Sequence, residues 1–287
     1  MMSRDRGVAF SPKAINTWGR AGVINVILIV GAAMTVFPFV WMLSVSLKLP
    51  QDIFSYPPHL IPHPFAFSNY AKAWSFVPFL RFYINSFIVA SAVTVGQIIT
   101  CSFSAYAFAR LRFPLREPLF MGLLGTMMIP GQVTMIPTFL IVHWLGWINT
   151  YWALIVPGLA SAFGTFLLRQ FFSTIPRELE DAAIMDGCGR LGVLWRVVFP
   201  LSLPAIAALS IFTFMGTWNS FLWPLIVENR STMFTVPLGL TYFQSEYVTD
   251  WNLLMAAAAM ATVPVLLVFV VFQRQIVRGI ALTGLKG

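Results

Sequence analysis

Charge is what this sequence is short of. Only 10% of its 287 residues are Asp, Glu, Lys or Arg, whereas a soluble domain carries about 25%. Hydrophobic residues make up 58%. Too little polar surface remains to clothe a water-soluble globule, and that class is excluded. Cysteine is equally scarce. Cys101 falls inside an apolar run and Cys188 in a polar segment, so a disulfide framework has no support and both read as inert thiols. The three histidines, His59, His63 and His143, fall in or beside loops, and no H-E-x-x-H or G-x-S-x-G grouping occurs. An intramembrane hydrolase therefore has no visible chemistry. G-x-x-x-x-G-K-[ST] is also absent, so the sequence carries no P-loop. Active transport would need an energy source on another chain.

Long hydrophobic runs are what the chain does have. Six of them, near 22–46, 83–108, 119–142, 152–172, 203–226 and 252–273, each reach the roughly 20 apolar residues that cross a bilayer. The first has no small-residue cleavage site and exceeds a signal core, so it reads as a retained helix. None of the ten acidic residues falls inside a run, and no Lys or His sits near the centre of one. Mid-membrane ionisable groups are costly and kept for function; their absence argues against a proton-coupled carrier. The expected fold is an all-α integral membrane protein of six transmembrane helices. Residues 1–21 form an N-terminal segment, 22–273 the helical domain and 274–287 a tail.

Basic residues orient that domain. With six spans both termini share a side. Lys48, Lys72, Arg81 and Arg230 fall on the other side, leaving 14 of the 18 basic residues with the termini. The positive-inside rule places that side in the cytoplasm. The net charge of +8 is thereby explained by topology, without a nucleic-acid partner. Trp41, Tyr83, Trp144, Tyr151 and Trp152 stand at span ends, as in the aromatic belts that meet membrane lipid.

Two segments interrupt the pattern. Pro130, Gly131 and Pro137 sit inside the third run. Proline frees backbone carbonyls there, which fits either a broken helix lining a cavity or a plain kink. The second segment, 171–206, holds Glu178, Glu180, Asp181 and Asp186. Ser173 or Thr174 is placed to cap a helix, Pro176 suits its first turn, and Gly187 offers a stop. Leu179, Ala182, Ala183 and Asp186 share one face at i, i+3, i+4 and i+7. Two alanines flatten that face for close approach by another protein. A second short helix, about 190–198, is expected to end before Pro200.

This segment resembles the EAA signature of ABC importer permeases, E-A-A, three residues, Gly, nine residues, then I-x-L-P. It reads here as Asp181-Ala182-Ala183, then Gly187, then Val197-Val198-Phe199-Pro200. Asp for Glu, Val for Ile and Phe for Leu are conservative departures. Further strings resemble the carbohydrate-uptake, maltose-type branch: FPFVWMLSVSLK at 37–48, AYAFARLRFP at 105–114, MIPGQVTMIP at 128–137 and WNSFLWPL at 218–225. The Lys286-Gly287 ending is similar to the second permease of such heterodimers.

The resemblance implies a transport subunit in a bacterial or archaeal inner membrane, without ATPase chemistry or bound cofactor of its own. ATP and Mg belong to two partner ATP-binding subunits; a second permease and an extracytoplasmic solute-binding protein complete the set. Loop 173–202 becomes the coupling loop between the fourth and fifth helices, with Glu178, Glu180, Asp181, Ala182, Ala183, Asp186, Gly187 and Pro200 toward the ATPase. Candidate solute-path residues are Asn85, Gln97, Gln132, Thr134, Trp218 and Asn219; sugars are met by neutral hydrogen-bonding and aromatic groups, although polar side chains also join helices. In loop 227–251, Phe234, Tyr242, Phe243 and Tyr247 are candidates for contact with the binding protein. The cargo reads as a sugar or oligosaccharide, with a polyol or glycerol phosphate as the alternative within the class. A stand-alone channel or secondary carrier is the rival class.

Overall fold

The computed structural model describes the backbone of residues 12–244 and 249–284, and side chains within 22–244 and 249–272. Among these residues the regular secondary structure is helical, apart from a lone antiparallel bridge between Gln244 and Thr249. Helix α1 is Pro12–Ser46, α2 Ser68–Phe76, α3 Phe79–Arg110, α4 Arg116–Thr126 and α5 Gly131–Trp144. Helix α6, Tyr151–Ile155, runs into a 3-10 turn, and α7 is Ala162–Thr174. Helix α8 is Arg177–Met185, and α9, Arg190–Val193, continues through a π-helical stretch at Leu194–Val198 into α10, Phe199–Leu201. Helix α11 is Leu203–Trp218, α12 Leu222–Val227, α13 Val236–Gly239 and α14 Trp251–Gly284.

Three unbroken helical stretches are long and apolar enough to cross a membrane: Gly22–Ser46 in α1, all of α3, and Trp251–Phe272 in α14. The other three runs are bent pairs. Helices α4 and α5 meet at 96°, Tyr151–Gly158 and α7 at 41°, and Arg190–Leu201 and α11 at 80°. The spans number up to six if each pair counts as one. The backbone of α1 and α14 overruns the expected boundaries at 22 and 273.

In the third run the helix is broken rather than merely kinked, with α4 and α5 meeting at 96°. The chain breaks once, between Thr126 and Gly131, with Pro130 in extended backbone ahead of α5. Pro137 stays inside α5. A proline within a helix forfeits one ladder bond, which a helix can survive, whereas an extended residue ends it.

Helix α3 sits at the centre. Its Cys101, Ala105 and Tyr106 join Leu168 and Phe172 of α7 and Leu209 of α11 in one core. Toward its Phe79 end, Phe79, Phe82 and Ala90 pack with Trp218, Val236, Leu254 and Ala257. A third cluster joins Val89 and Val93 to Val142, Ala153, Leu154 and Val227. Helix α1 lies outside this block against α14, with Leu28, Ile29 and Met34 exposed. Such a surface is at home in hydrocarbon or against another subunit.

Candidate functional site

The polar segment 171–206 folds differently from its cap signals. Helix α7 runs on through Thr174. The Ser173 hydroxyl donates back to the Arg169 carbonyl at 2.8 Å and that of Thr174 to Phe171 at 2.7 Å. Neither caps α8, whose N-cap position is Pro176, without a side-chain bond. A hydroxyl within reach of a carbonyl one turn back prefers that partner while its own helix persists. The C-terminal reading holds. Gly187 has φ +87°, its N–H donates to Ile184 and that of Cys188 to Ala183, both at 2.9 Å. These two bonds with a left-handed glycine form a Schellman stop. Pro200 does not end the next helix. It lies within α10, after the π-helical stretch, and the break comes at Ser202. The wider turn shifts bond register, so a residue without an N–H is accommodated.

The outward face of α8 consists of Leu179, Ala182, Met185 and Asp186; Met185 is 88% exposed. Glu178, Asp181 and Gly187 are also exposed. Two expected docking residues turn inward instead. Ala183 packs against the core around Leu168 and Val193, and Glu180 is buried. The reason is an ion pair: the Arg110 Nε lies 2.6 Å from the Glu180 Oε1. One Arg110 nitrogen, Nη2, also donates to the carbonyls of Phe172 at 2.7 Å and Ile175 at 2.5 Å. Burial pushes the Glu180 carboxyl above its ordinary value, while Arg110 and then Arg177 pull it down. A cavity of about 270 Å³ opens beside the pair, lined by Tyr106, Arg112, Arg177, Asp181 and Arg190 among others.

Half of the candidate solute-path residues are spent on the fold. Asn85 is fully buried; its amide donates to the carbonyls of Thr232 and Phe234, both at 2.9 Å, and its oxygen accepts from the Tyr151 hydroxyl at 2.7 Å. Gln97 donates to the Gly158 carbonyl at 2.8 Å and accepts from Thr213 at 2.9 Å. Trp218 is buried and donates to the Ala261 carbonyl at 3.2 Å. In an apolar interior each polar group must be satisfied, and these three are satisfied by their own chain. Gln132, Thr134 and Asn219 are exposed, Thr134 bonding back to the Gly131 carbonyl at 3.0 Å. Structure thus brings Asn85 and Gln97 together with backbone, not with the other candidates.

In loop 227–251, Phe234 and Tyr242 lie 5.9 Å apart between ring centroids, each against Phe82. Tyr242 is 45% exposed and Phe234 partly so, but Phe243 is only 2% exposed and belongs to the core. It is not available for an outside contact. Tyr247 lies outside the described residues.

Residues 97–282 match the family described as binding-protein-dependent transport system inner membrane component. The chain belongs to this family. It is 38% identical to the sn-glycerol-3-phosphate transport system permease protein UgpE of Yersinia enterocolitica, over 89% of this chain and 94% of the relative. UgpE of Rhizobium meliloti is 37% identical over 90% and 95%. Among solved structures, a bacterial ABC transporter involved in the import of the acidic polysaccharide alginate matches with a TM-score of 0.81, covering 93% of this chain and 99% of that one at 23% identity. The last shows the shared fold. The protein is an inner-membrane permease subunit of an ABC importer.

Three charged residues of the permease escaped sequence reasoning as anything beyond loop or topology charges. Arg110 ends α3, and only the fold reveals the ion pair beneath α8. A charge closing a long apolar run was the available signal. Lys48 is 2% exposed, with its ammonium 5.0 Å from the centre of the Trp41 ring. Glu228 is also 2% exposed, and neither carboxylate oxygen has a hydrogen-bond partner among the described residues.

Proposed function

We propose that the permease imports a sugar-type solute as one half of a permease pair, with six spans, cytoplasmic termini and the 173–202 loop docked on an ATP-binding subunit. Two such subunits would carry ATP and Mg, and an extracytoplasmic binding protein would deliver the solute. The observation that carries this reading is α8 itself. Its exposed Leu179, Ala182, Met185 and Asp186 form a largely apolar face flattened at Ala182 and ending in one acid, stopped by Gly187 and held to the core from behind by Glu180. Such a face needs a partner groove, and it lies in the stretch with the EAA spacing. Closure of the ATPases would push α8 and reorient the attached helices between inward- and outward-facing states.

The domain assignment follows: 22–273 as the spanning unit, 1–21 and 274–287 on the cytoplasmic side. Gln132, Thr134 and Asn219 remain the candidate solute contacts, and Phe234 and Tyr242 the candidate binding-protein contacts. A phosphorylated polyol is the second reading for the cargo, favoured by the 37–38% identity to permeases named for glycerol 3-phosphate. No acid, Lys or His near a span centre marks a proton path, which supports drive by ATP on other subunits.

The test is reconstitution with the partner subunits and uptake of radiolabelled oligosaccharide against glycerol 3-phosphate. Ala182→Asp places a charge in the docking face without touching the core. It should spare insertion and abolish ATP-driven uptake, because an unpaired charge buried at a contact is costly. Normal uptake by that variant would sink the coupling role of α8.

A further inference from the structure

Helix α3 is a single unbroken helix of 32 residues. At about 1.5 Å per residue it is roughly 48 Å long, well beyond the roughly 30 Å hydrocarbon core. Both ends are tied to segments distant in sequence. At the inner end, Arg110 joins three elements: its own helix, the end of α7 through the carbonyls of Phe172 and of Ile175 just past it, and Glu180 of α8. At the outer end, Arg81 Nε donates to Thr232 at 3.2 Å, Asn85 to Thr232 and Phe234 at 2.9 Å, and Ser86 Oγ accepts from the Val236 N–H at 2.8 Å. Midway, Gln97 pins α3 to Gly158 and Thr213. A stiff helix is therefore clamped to the 231–236 loop outside and to the docking helix inside.

We propose that α3 is a rigid rod that connects the outer 231–236 loop to the ATPase-docking helix, with Asn85 and the Arg110–Glu180 pair as its two clamps. This rests on the reading of α8 as the docking helix and of loop 227–251 as facing the binding protein. A binding protein pressing on the loop bearing Phe234 displaces Asn85, and the displacement reaches α8 through Arg110. Arg177 lines the same cavity as Arg110 and Glu180, so the inner clamp adjoins open space and a second basic group. Arg110 and Asn85 are thus positioning residues: both side chains are buried and bonded within their own chain. Because coupling is reciprocal, the state of the ATPases also sets the strain on the outer loop.

Coupling along such a path is established by paired perturbation, not by position between two sites. The experiment uses the reconstituted complex with its binding protein and measures the ratio of stimulated to unstimulated ATP hydrolysis and the solute imported per ATP. Glu180→Gln keeps the shape and removes the charge; Asn85→Ala removes the outer clamp, and Ser86→Ala is the milder substitution at the same end. Each of the first two should lower stimulation about tenfold, within the 5- to 150-fold range of coupling between sites, while the complex still co-purifies. The double variant Asn85→Ala/Glu180→Gln should be no worse than the worse single variant, since the two act in series. Multiplicative losses, or unchanged stimulation in both singles, overturn the rod. If Asn85→Ala prevents assembly, Ser86→Ala combined with Glu180→Gln decides by the same criterion. Ala182→Asp separates the two failures: if it abolishes stimulation while the clamp variants keep it, α8 docks but α3 is no rod; if it too is silent, the docking reading falls first.

Discussion

Glu228 shows how far a single side chain can depart from its expected surroundings. It follows α12, its backbone N–H donates to Pro224, and the neighbouring N–H groups of Asn229 and Arg230 are taken by the Asn149 Oδ1 at 2.6 and 2.9 Å. The carboxyl is left without a partner, and burial pushes it up to about 8 from an ordinary 4.5. The folded protein therefore keeps a proton that the unfolded chain releases near pH 4.5. Its contribution to stability is fully present below that value and is lost as pH rises through about 8. The melting temperature of the purified permease should fall between about pH 5 and about pH 8 and level off above that, and Glu228→Gln should flatten that slope. An identical slope in the variant would show that another group is responsible. Sequence alone made Glu228 an ordinary loop acid, because burial of a loop residue is decided by what folds over it.

At the scale of elements, α8 was the most legible and the least completely read. Its acidic first turn and its glycine stop are local properties, set by backbone φ and ψ and by bonds within about five residues. They emerge as expected. Gly187 meets nothing within 4 Å of a hypothetical Cβ, yet its φ of +87° is disfavoured for any L side chain. Gly187→Val should therefore strain the turn by about 1–2 kcal/mol and re-aim α8. Uptake should drop severalfold with membrane insertion intact, checked by uptake and membrane-fraction yield in parallel. Wild-type uptake would mean that the angle of α8 is immaterial. Which flank of α8 faces inward was not legible. Ala182 and Ala183 are chemically identical; Arg110, 70 residues upstream of Glu180, turns one outward and the other against Leu168. The same limit applied to Asn85 and Gln97. A neutral amide in an apolar helix serves a solute or a neighbouring carbonyl equally well, and only the position of that neighbour decides.

For the molecule as a whole, thiol labelling tests the orientation. Cys188 is half-buried and packed against the core, and Cys101 is buried, so neither thiol makes a good reporter. Asp186 is exposed at the end of α8. Asp186→Cys should react with a membrane-impermeant maleimide in inside-out vesicles and not in intact cells or spheroplasts. The reverse pattern would overturn the cytoplasmic placement of the coupling loop and, with it, the reading drawn from the basic residues. By itself the sequence determined that the chain is helical and membrane-embedded and where its apolar runs lie, because roughly 20 apolar residues in a row have few other stable fates. It also carried the family, because the string around Asp181-Ala182-Ala183 and Gly187 is local. Tertiary structure alone decided that three runs are bent rather than straight, that α3 is the central helix, and that Asn85, Gln97 and Glu180 serve as internal ties. Those outcomes depend on pairs of groups 60 to 150 residues apart, and the partner of a buried polar group is chosen by packing, not by its neighbours in the chain.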